Sequence, residues 1–326
     1  MSQRYLLRNI ALAVLMTMAA WTAAAQKYPT KPVRVIVPVA PGGMTDIQGR
    51  LFAQKLSVLW GQQVMVENRP GGGSIIAADL VSKSPADGYT LFISGEAPFV
   101  INPHLYSKLP YDPIRDFTPI VFLSQVSPVI AVHASLPVSN IKELIALAKS
   151  KPGSLSYGSM GSGTYSHIAM EEFKRRAGVD ITHVPYKGSS PAMTDLLAGH
   201  TSIILVNISV VERHANAGKL RIVAAATPRR LQSLPDLPTV SEQALPGFEA
   251  TTWFAVFGPA NLPGDVVSTV HADITKIMAE PGFREQHFSR RGLETAVMTP
   301  REFAQKVKND LERWGPVVKA SGARAD

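Results

Sequence analysis

Short apolar runs rich in β-branched residues alternate along the chain with longer stretches in which apolar residues recur at helical spacing. The short runs predict buried strands, and the longer stretches predict amphipathic helices. The predicted strands are Val33–Val37, Gln63–Glu67, Thr90–Ser94, Pro119–Ser124, Val129–His133, Leu155–Ser159, Thr182–Tyr186, Ser202–Val206, Leu220–Ala226 and Phe254–Gly258. The predicted helices are Asp46–Trp60, Ser74–Ser84, Ile141–Lys149, Ser166–Ala177, Ser190–Ala198, Val266–Met278 and Pro300–Ala320. This alternation predicts an α/β fold in which parallel-rich sheets are flanked by helices on both faces.

The first predicted strand runs into PVAPGGMTD, a glycine turn that leads directly into a helix. Gly42 and Gly43 carry no Cβ and allow a close approach of the backbone, and Thr45 and Asp46 are good helix N-cap residues. Unpaired N–H groups at a helix N-terminus, with the positive end of the helix dipole behind them, bind anions. We therefore expect Pro38–Arg50 to hold an anion, most simply a carboxylate. The alternative is an ordinary turn whose glycines serve only the bend.

Four further strand-to-helix turns lie where open α/β sheets bind ligands, at the carboxyl ends of strands. Ser159–His167 (SMGSGTYSH) places glycines and hydroxyls before a helix and predicts a second anion site of the same type. Tyr186–Pro191 (YKGSSP) offers a lysine, and Ser94–Ala97 (SGEA) places Glu96 at a strand end. Asn68–Ser74 (NRPGGGS) leads into another helix. The alternative for each is structural: a capped helix start, a solvent-facing lysine or a helix N-terminal glutamate.

The N-terminus has the pattern of a signal peptide. Arg4 and Arg8 form a basic region, Ile10–Trp21 an apolar core, and an A-x-A cleavage site ends at Ala25. We expect cleavage after Ala25 and export to the periplasm; an uncleaved anchor is the alternative. No later run approaches the roughly 20 apolar residues that a spanning helix needs. The sequence contains no Cys, which excludes a lipoprotein and disulfide bonds.

The formal net charge of +8 falls to about +6 without Arg4 and Arg8. The basic residues are scattered, with no long run or aromatic-interleaved patch, so we expect no nucleic-acid partner; a mildly basic surface attracts small anions. The His and acidic residues show no ligand spacing such as HExxH. Gly71–Gly73 lacks the Lys-Ser/Thr of a P-loop. Gly158, Gly161 and Gly163 have the spacing GxxGxG, which is the reverse of the GxGxxG pattern that binds dinucleotides. We therefore expect no metal and no cofactor.

A secreted serine hydrolase is an alternative that the sequence leaves open, because Ser159 and Ser162 lie near His167. The segment GSMGSG is not the G-x-S-x-G of a nucleophile elbow. A triad would also need an orienting Asp or Glu, which the sequence does not place.

Eight segments in order resemble the periplasmic solute receptors of the tripartite tricarboxylate transporter group, the Bug receptors, over essentially the whole mature chain. Each segment alone is weak evidence of the resemblance, but their succession in this order is specific for the family. The segments are YPTKPVRVIVPVAPGGMTDIQGR, VENRPGGG, ADGYTLF, INPHLYSKLPYDPIRDFTPI, ASLPVSNIKELIALAKSKPGSLSYGS, GTYSHIAMEEFK, ITHVPYKGSSPAMTDLLAGH and PGFEATTWFAVFGPA.

The resemblance implies a type II periplasmic binding fold, in which two α/β lobes close over one ligand. The implied division is a signal peptide over 1–25, a first lobe over 26–127 and 248–326, and a second lobe over 128–247. A carboxylate is gripped in this family by the first-lobe PGG loop and the second-lobe GSGT region. The site residues expected on this basis are Pro41, Gly42, Gly43, Met44, Thr45, Asp46, Ser94, Glu96, Ser159, Gly161, Ser162, Gly163, Thr164, His167, Tyr186, Lys187, Gly188 and Asn207. Thr164 and Ser162 are expected to donate to the carboxylate, and Asp46 to fix the loop.

Two positions depart from the family pattern or lie in loops that vary within it. Val206 stands where relatives usually carry an acidic residue before the asparagine, so only Asn207 is carried over. Glu96 lies in a variable loop, and we hypothesise that it faces the distal end of the ligand and favours an amine or hydroxyl over a second carboxylate.

The function expected from these features is that of a monomeric periplasmic receptor without enzymatic activity. It would capture a small organic acid or amino acid and deliver it to the membrane components of a tripartite tricarboxylate-type transporter. A receptor that acts mainly in signalling is the other alternative. Family members bind dicarboxylates, tricarboxylates, acidic amino acids and aromatic acids, so the resemblance leaves the ligand open.

Overall fold

A computed structural model describes residues 28–186 and 188–322. The expected signal peptide, its cleavage site and Lys187 lie outside the described residues. The strands are β1 (Val33–Val37), β2 (Val64–Asn68), β3 (Thr90–Gly95), β4 (Phe117–Val126), β5 (Pro128–His133), β6 (Ser156–Ser159), β7 (Thr182–Pro185), β8 (Ile203–Asn207), β9 (Leu220–Ala225), β10 (Trp253–Pro259) and β11 (Leu293–Glu294). The α-helices are α1 (Met44–Trp60), α2 (Ile75–Ser82), α3 (Asn102–Leu105), α4 (Ile141–Ser150), α5 (Tyr165–Ala177), α6 (Ser189–Leu197), α7 (Ile208–Asn216), α8 (Val240–Gln243), α9 (Gly264–Ala279), α10 (Pro281–His287) and α11 (Pro300–Ser321). A π-helical segment spans Ala97–Ile101, and short 3₁₀ turns span Gly72–Ser74 and Ser289–Arg291.

The strands form two sheets. The first has the order β11-β4-β10-β3-β1-β2, and the second has the order β7-β6-β8-β5-β9. Strand β1 is parallel to β2 and β3, and β6 is parallel to β7 and β8. Strands β10 and β5 run antiparallel to both of their neighbours. Each sheet is therefore mixed, with a parallel part whose strand ends can form a binding edge.

Helices cover both faces of each sheet. On one face of the first sheet, α1, α9 and α10 enclose a core that includes Phe52 and Val270. On the other face, α2, α11 and the segment Ala97–Ile101 enclose an aromatic core that includes Phe99 and Trp314. The second sheet is covered by α4 and α5 on one face and by α6 and α7 on the other. We call each sheet with its helices a lobe, the first and the second.

The chain passes between the lobes at two extended segments. Ser127 joins β4 to β5, and 250–252 leads back from the second lobe into β10. The backbone amide of Ser127 donates to the carbonyl of Gly292 at 3.2 Å, so the segment before β11 also reaches this crossing. Ile168 of α5 packs into the aromatic core of the first lobe. The lobes are thus linked by backbone hydrogen bonds and by apolar packing.

The predicted α/β class with two lobes is confirmed, and all ten predicted strands and seven predicted helices are present with ends shifted by a few residues. The sequence prediction missed the two-residue strand β11 and the helices α3, α7, α8 and α10. Thr299 and Glu302 form the capping box that the sequence predicts for α11. The lobe boundaries at 127/128 and 247/248 stay a prediction.

None of the helices in the described residues is both long and apolar enough to span a membrane.

Candidate ligand-binding site

A cavity of about 400 Å³ lies between the two lobes, a size that suits a small molecule. Its walls include residues that directly follow the parallel strands, as the α/β rule predicts. The lining residues from the first lobe and the crossings are Val39, Met44, Thr45, Gly95, Glu96, Ala97, Ile101, Val126, Thr252 and Phe254. Those from the second lobe are Met160, Thr164, Tyr165, Ser189, Val206, Asn207 and Val210.

Asp46 fixes the turn between β1 and α1. The residue is 2% exposed, and its Oδ2 accepts hydrogen bonds from the Gly42 amide at 2.9 Å and from Arg50 Nε at 3.0 Å. Asn68 Nδ2 donates to Oδ1 at 2.8 Å. Burial alone would raise the pKa of the Asp46 carboxyl, but the hydrogen bonds from Arg50, Gly42 and Asn68 outweigh it and lower the pKa. Asp46 therefore stays ionised at neutral pH and holds the glycine turn in shape.

The predicted N-cap of α1 is wrong. The helix begins at Met44 with Gly43 as its N-cap residue, and no side chain caps it. Thr45 and Asp46 lie inside the first turn, where the Asp46 carboxylate reaches back to the preceding loop instead of to the helix amides. The first-turn amides of α1 are therefore left without a side-chain acceptor.

The loop between β6 and α5 is closed by its own side chains. The Thr164 hydroxyl donates to the Gly161 carbonyl at 2.7 Å, so its proton is engaged within the loop. Three loop amides also donate internally: Met160 to Ser166 Oγ at 3.1 Å, Gly161 to Ser159 Oγ at 3.2 Å and Gly163 to His167 Nδ1 at 3.1 Å. These hydrogen bonds fix the loop before any ligand binds. The amides of Gly161 and Gly163 are used within the loop, by Ser159 Oγ and His167 Nδ1.

Helix N-termini converge on the cavity from both lobes. Helices α1 and α5 present their first residues, Met44–Thr45 and Thr164–Tyr165, and neither has a side-chain cap. Helix α6 also begins uncapped at Ser189, and α7 follows Asn207. The first-turn amides and the positive ends of these helices favour negative charge in the space between them. The arrangement is suited to a carboxylate.

Glu96 is the ionisable carboxyl that lines this cavity. The residue is 2% exposed, both carboxyl oxygens are enclosed by the protein, and a hydrogen bond with the Thr252 side chain is among the influences on the carboxyl. Burial, and after it the charge of Asp310, raise the pKa of Glu96 to about 8. Three neighbours partly oppose this rise: Arg313, Thr252 and Lys306. The carboxyl is therefore mostly protonated near pH 7, and the surrounding protein encloses both of its oxygens.

Asn207 lies at the junction of the lobes. Its Oδ1 accepts from the Ser209 amide at 3.1 Å and caps α7, while its Nδ2 donates to the Arg291 carbonyl at 3.1 Å. A Cβ at Gly292 would approach Asn207 Oδ1 to 2.4 Å. Val206, at the position where an acidic residue is missing, lines the cavity as an apolar group. This part of the wall therefore carries no charge.

The structure brings five of the predicted site residues to the cavity wall: Met44, Thr45, Glu96, Thr164 and Asn207. The other described site residues do not line this cavity. Ser94 and Ser159 are buried, and Ser94 Oγ donates to the Gly95 carbonyl at 3.0 Å. Tyr186 donates its hydroxyl proton to Asp195 at 2.6 Å. Exposed or half-buried residues of the loops are Pro41, Gly42, Gly43, Gly161, Ser162, Gly163 and Gly188, and Lys187 lies outside the described residues.

The sequence reasoning missed most of the apolar wall. Met160 directly follows β6 and Tyr165 begins α5, positions that the strand-end rule could have pointed to. Phe254 lies at the start of β10, and it reaches this edge because β10 runs antiparallel to β3 and pairs Phe254 with Gly95. Only the pairing of distant strands reveals such a residue.

The geometry does not assemble the serine–histidine pair that the hydrolase alternative requires. Ser159 Oγ lies 2.7 Å from His183 Nε2, not beside His167 as expected for a nucleophile and its base. The His183 ring stacks on His167 at 4.1 Å and on Tyr157 at 4.9 Å, and Ser159 is 1% exposed. Burial, and after it the charge of His167, lower the pKa of His183 to about 4. The cluster is a packed support for the loop.

In residues 28–186 and 188–322, no group of three or more His, Asp or Glu side chains is placed to hold a metal ion.

Residues 49–323 match the family model described as tripartite tricarboxylate transporter family receptor. The chain belongs to this receptor family. It is 33% identical to Protein BugT of Bordetella pertussis over 301 residues, 92% of each chain. The resemblance to Bug receptors that the sequence shows is thereby confirmed.

Solved structures of similar receptors agree with the fold. The structure of R. palustris Rpa4515 with adipate is 34% identical, with a TM-score of 0.80 over 91% of this chain and 99% of the other. MatC from Rhodopseudomonas palustris with bound malate is 28% identical, with a TM-score of 0.76 over 89% of this chain and 100% of the other. Family and neighbours are substrate-binding receptors, and the expectation that the chain is not an enzyme is confirmed.

Proposed function

We propose that this receptor is exported to the periplasm, closes its two lobes over a small carboxylate and delivers it to a tripartite tricarboxylate-type membrane transporter. The observation that carries the proposal is the convergence of uncapped helix N-termini from both lobes on one cavity. The structures of Rpa4515 with adipate and MatC with malate support a carboxylate as the ligand.

The carboxylate lies between the first turns of α1 and α5. The glycine amides expected to bind it donate within their own loops, so the donors are the backbone N–H groups that follow them in the chain. Thr45 adds a hydroxyl at the cavity wall. Asp46 and the Ser159–His183 pair act indirectly, because they hold the two loops that aim these amides.

Ligand binding drives closure because the donors belong to different lobes. An open receptor can offer the carboxylate one helix terminus, whereas the closed receptor offers several. The ligand therefore has a higher affinity for the closed state and shifts the population toward it. The crossings at Ser127 and 250–252 provide the hinge, with lobe boundaries at 127/128 and 247/248, and the receptor acts as a monomer.

The decisive experiment is native mass spectrometry of the mature protein purified without refolding, followed by denaturing release of any bound molecule. A carboxylic acid in the adduct supports the proposal. If the protein is ligand-free, a thermal-shift panel of organic acids follows, since a ligand at about 100 times its dissociation constant adds roughly 2.7 kcal/mol of stability. No stabilisation by any carboxylate would contradict the proposal. Deletion of the gene, with uptake of the identified acid as the readout, tests delivery to a transporter.

A further inference from the structure

Most of the side-chain surface that a ligand can contact in this cavity is apolar. Six large apolar residues that line it are half-buried, so part of the surface of each remains accessible. They are Val39, Met44 and Phe254 from the first lobe, and Met160, Tyr165 and Val210 from the second. We call these six residues the apolar lining. Apart from the Tyr165 hydroxyl, their side chains carry no strong hydrogen-bonding group.

The apolar lining has the same composition on both sides of the cavity. Each lobe contributes one valine, one methionine and one aromatic ring. In the first lobe, Met44 begins α1 and Phe254 lies in β10. In the second lobe, Met160 directly follows β6 and Tyr165 begins α5. A ligand between the lobes therefore meets apolar surface from two directions, and burial of an apolar body on both sides is favourable.

Most polar side chains in the cavity wall already have partners within the protein. The Thr164 hydroxyl donates within its own loop, and the Asn207 amide bonds to α7 and to the segment before β11. A hydrogen bond with the Asn207 backbone is among the influences on the Tyr165 hydroxyl. The protein encloses both oxygens of Glu96, and the Thr252 side chain hydrogen-bonds to this carboxyl. These groups therefore have little capacity left for a ligand.

The two other hydroxyls of the described wall lie where the carboxylate is expected. Thr45 is in the first turn of α1, and Ser189 is the first residue of α6. The amides and the positive ends of both helices favour an anionic group at the same place. A hydroxyl elsewhere on the ligand would lose its water and face the apolar lining, and a buried polar group without a partner weakens binding.

We infer, building on the proposed function, that the apolar lining selects carboxylates with a hydrocarbon body and rejects hydroxy acids and sugar acids. The carboxylate binds at the helix termini, and the rest of the ligand fills the space between the two apolar sides. The six residues of the apolar lining thus determine specificity, whereas the helix termini hold the charge that all candidate ligands share.

Isothermal titration calorimetry of ligand-free wild-type protein at pH 7 tests the inference with three matched pairs. The pairs are hexanoate with gluconate, cyclohexanecarboxylate with quinate, and adipate with glucarate. The two members of a pair have the same carbon skeleton and the same number of carboxylates, and they differ in their hydroxyl groups. In every pair that binds, the hydrocarbon acid should bind about tenfold or more tighter, as expected when a hydroxyl is buried without a partner.

Two variants assign the preference to the apolar lining. Met160→Gln replaces the thioether with an amide of similar length, and Val210→Thr adds a hydroxyl with little change of shape. Each should lower affinity for the hydrocarbon acid by about tenfold, because a polar group is buried against an apolar ligand. Each should also lower the ratio of the two affinities within a pair. A variant that only disturbed the loop would weaken both members equally and leave this ratio unchanged.

The matched controls make the same chemical changes outside the cavity. Met65 of β2 is 40% exposed and Val58 of α1 is 83% exposed, and neither lines the cavity. Met65→Gln and Val58→Thr should therefore leave all affinities and all ratios at their wild-type values.

The outcomes separate the inference from the proposed function. A hydroxylated acid that binds wild-type protein as tightly as its hydrocarbon partner would overturn the inference and leave the receptor function intact. Unchanged ratios in both Met160→Gln and Val210→Thr would overturn it as well. If none of the three hydrocarbon acids binds, the inference is wrong, and if the wider panel of organic acids gives no binding either, the proposed function is wrong too.

Discussion

Glu96 should make the unliganded receptor less stable as the pH rises. Its carboxyl is buried, and its pKa is raised from 4.5 to about 8, so the folded state favours the protonated form more than the unfolded state does. The contribution of Glu96 is therefore fully favourable below pH 4.5 and is lost as the pH rises from 4.5 through about 8. Replacing Glu96 with Gln, which cannot ionise, should abolish this loss.

The magnitude follows from the linkage between protonation and folding. One pKa unit corresponds to about 1.36 kcal/mol, so the shift lowers the free energy of unfolding by on the order of 4 kcal/mol at pH 8 and above. Most of the loss, on the order of 3 kcal/mol, falls between about pH 5 and pH 8. In a native protein with a net stability of about 5 to 15 kcal/mol, such a slope is readily measured.

The assay is urea unfolding of ligand-free wild type and Glu96→Gln, followed by circular dichroism at pH 5, 6, 7 and 8. The difference between the two proteins removes the contributions to the free energy of unfolding that do not involve Glu96. Glu96→Gln should gain stability relative to wild type as the pH rises, whatever the difference in free energy of unfolding between the two proteins is at pH 5.

The control is Glu312→Gln, a substitution on the surface. Its free energy of unfolding should stay within about 0.5 kcal/mol of the wild-type value at every pH, as for other surface substitutions. If the difference in free energy of unfolding between Glu96→Gln and wild type does not change with pH, the pKa of the Glu96 carboxyl is not raised in the folded protein and the prediction is wrong.

Three further substitutions test the supports of the site. Asp46→Asn should lower stability by about 1–3 kcal/mol and weaken carboxylate binding, because charge-assisted bonds in the glycine turn are lost; urea unfolding and calorimetry measure both, and unchanged affinity would contradict the positioning role. Thr164→Val keeps the shape of the side chain but removes the hydroxyl that donates to the Gly161 carbonyl at 2.7 Å. It should lower the free energy of unfolding by about 1 kcal/mol and weaken carboxylate binding to a similar extent. Unchanged affinity would contradict a role of this loop in binding. Gly292→Ala places a Cβ 2.4 Å from Asn207 Oδ1, at a residue whose φ is +63°. Small-angle scattering with saturating ligand should therefore show a more open molecule than wild type. Identical scattering profiles would refute a hinge role.

Some of the candidate site follows from local chemistry that the sequence contains. The apolar run Val33–Val37, which leads through Pro38 to the glycines Gly42 and Gly43, predicts a strand entering a turn, and the hydroxyls and glycines of Ser159–Thr164 favour a helix start. Both elements are present, and both helix termini reach the cavity. The ordered motifs also identify the family, which the match over 49–323 confirms.

The partners of the loop amides depended on side-chain geometry that no spacing rule gives. Asp46 is a good N-cap residue in isolation, yet in the fold its carboxylate turns to Gly42 and Arg50 because Asn68 on the neighbouring strand fixes its other oxygen. His183, not the predicted His167, meets Ser159, because the parallel pairing of β6 and β7 brings their ends together.

The sequence by itself determined the strands, most of the helices and the two turns that open toward the ligand, since hydrophobic periodicity and turn chemistry act over a few residues. Only the tertiary structure decided what surrounds those turns. The antiparallel course of β10 brings Phe254 beside Gly95, and Glu96 is buried close to Asp310 and Arg313 of α11. Burial and strand pairing join residues that are far apart in the chain, and for that reason the apolar wall and the state of Glu96 could not be read from the sequence.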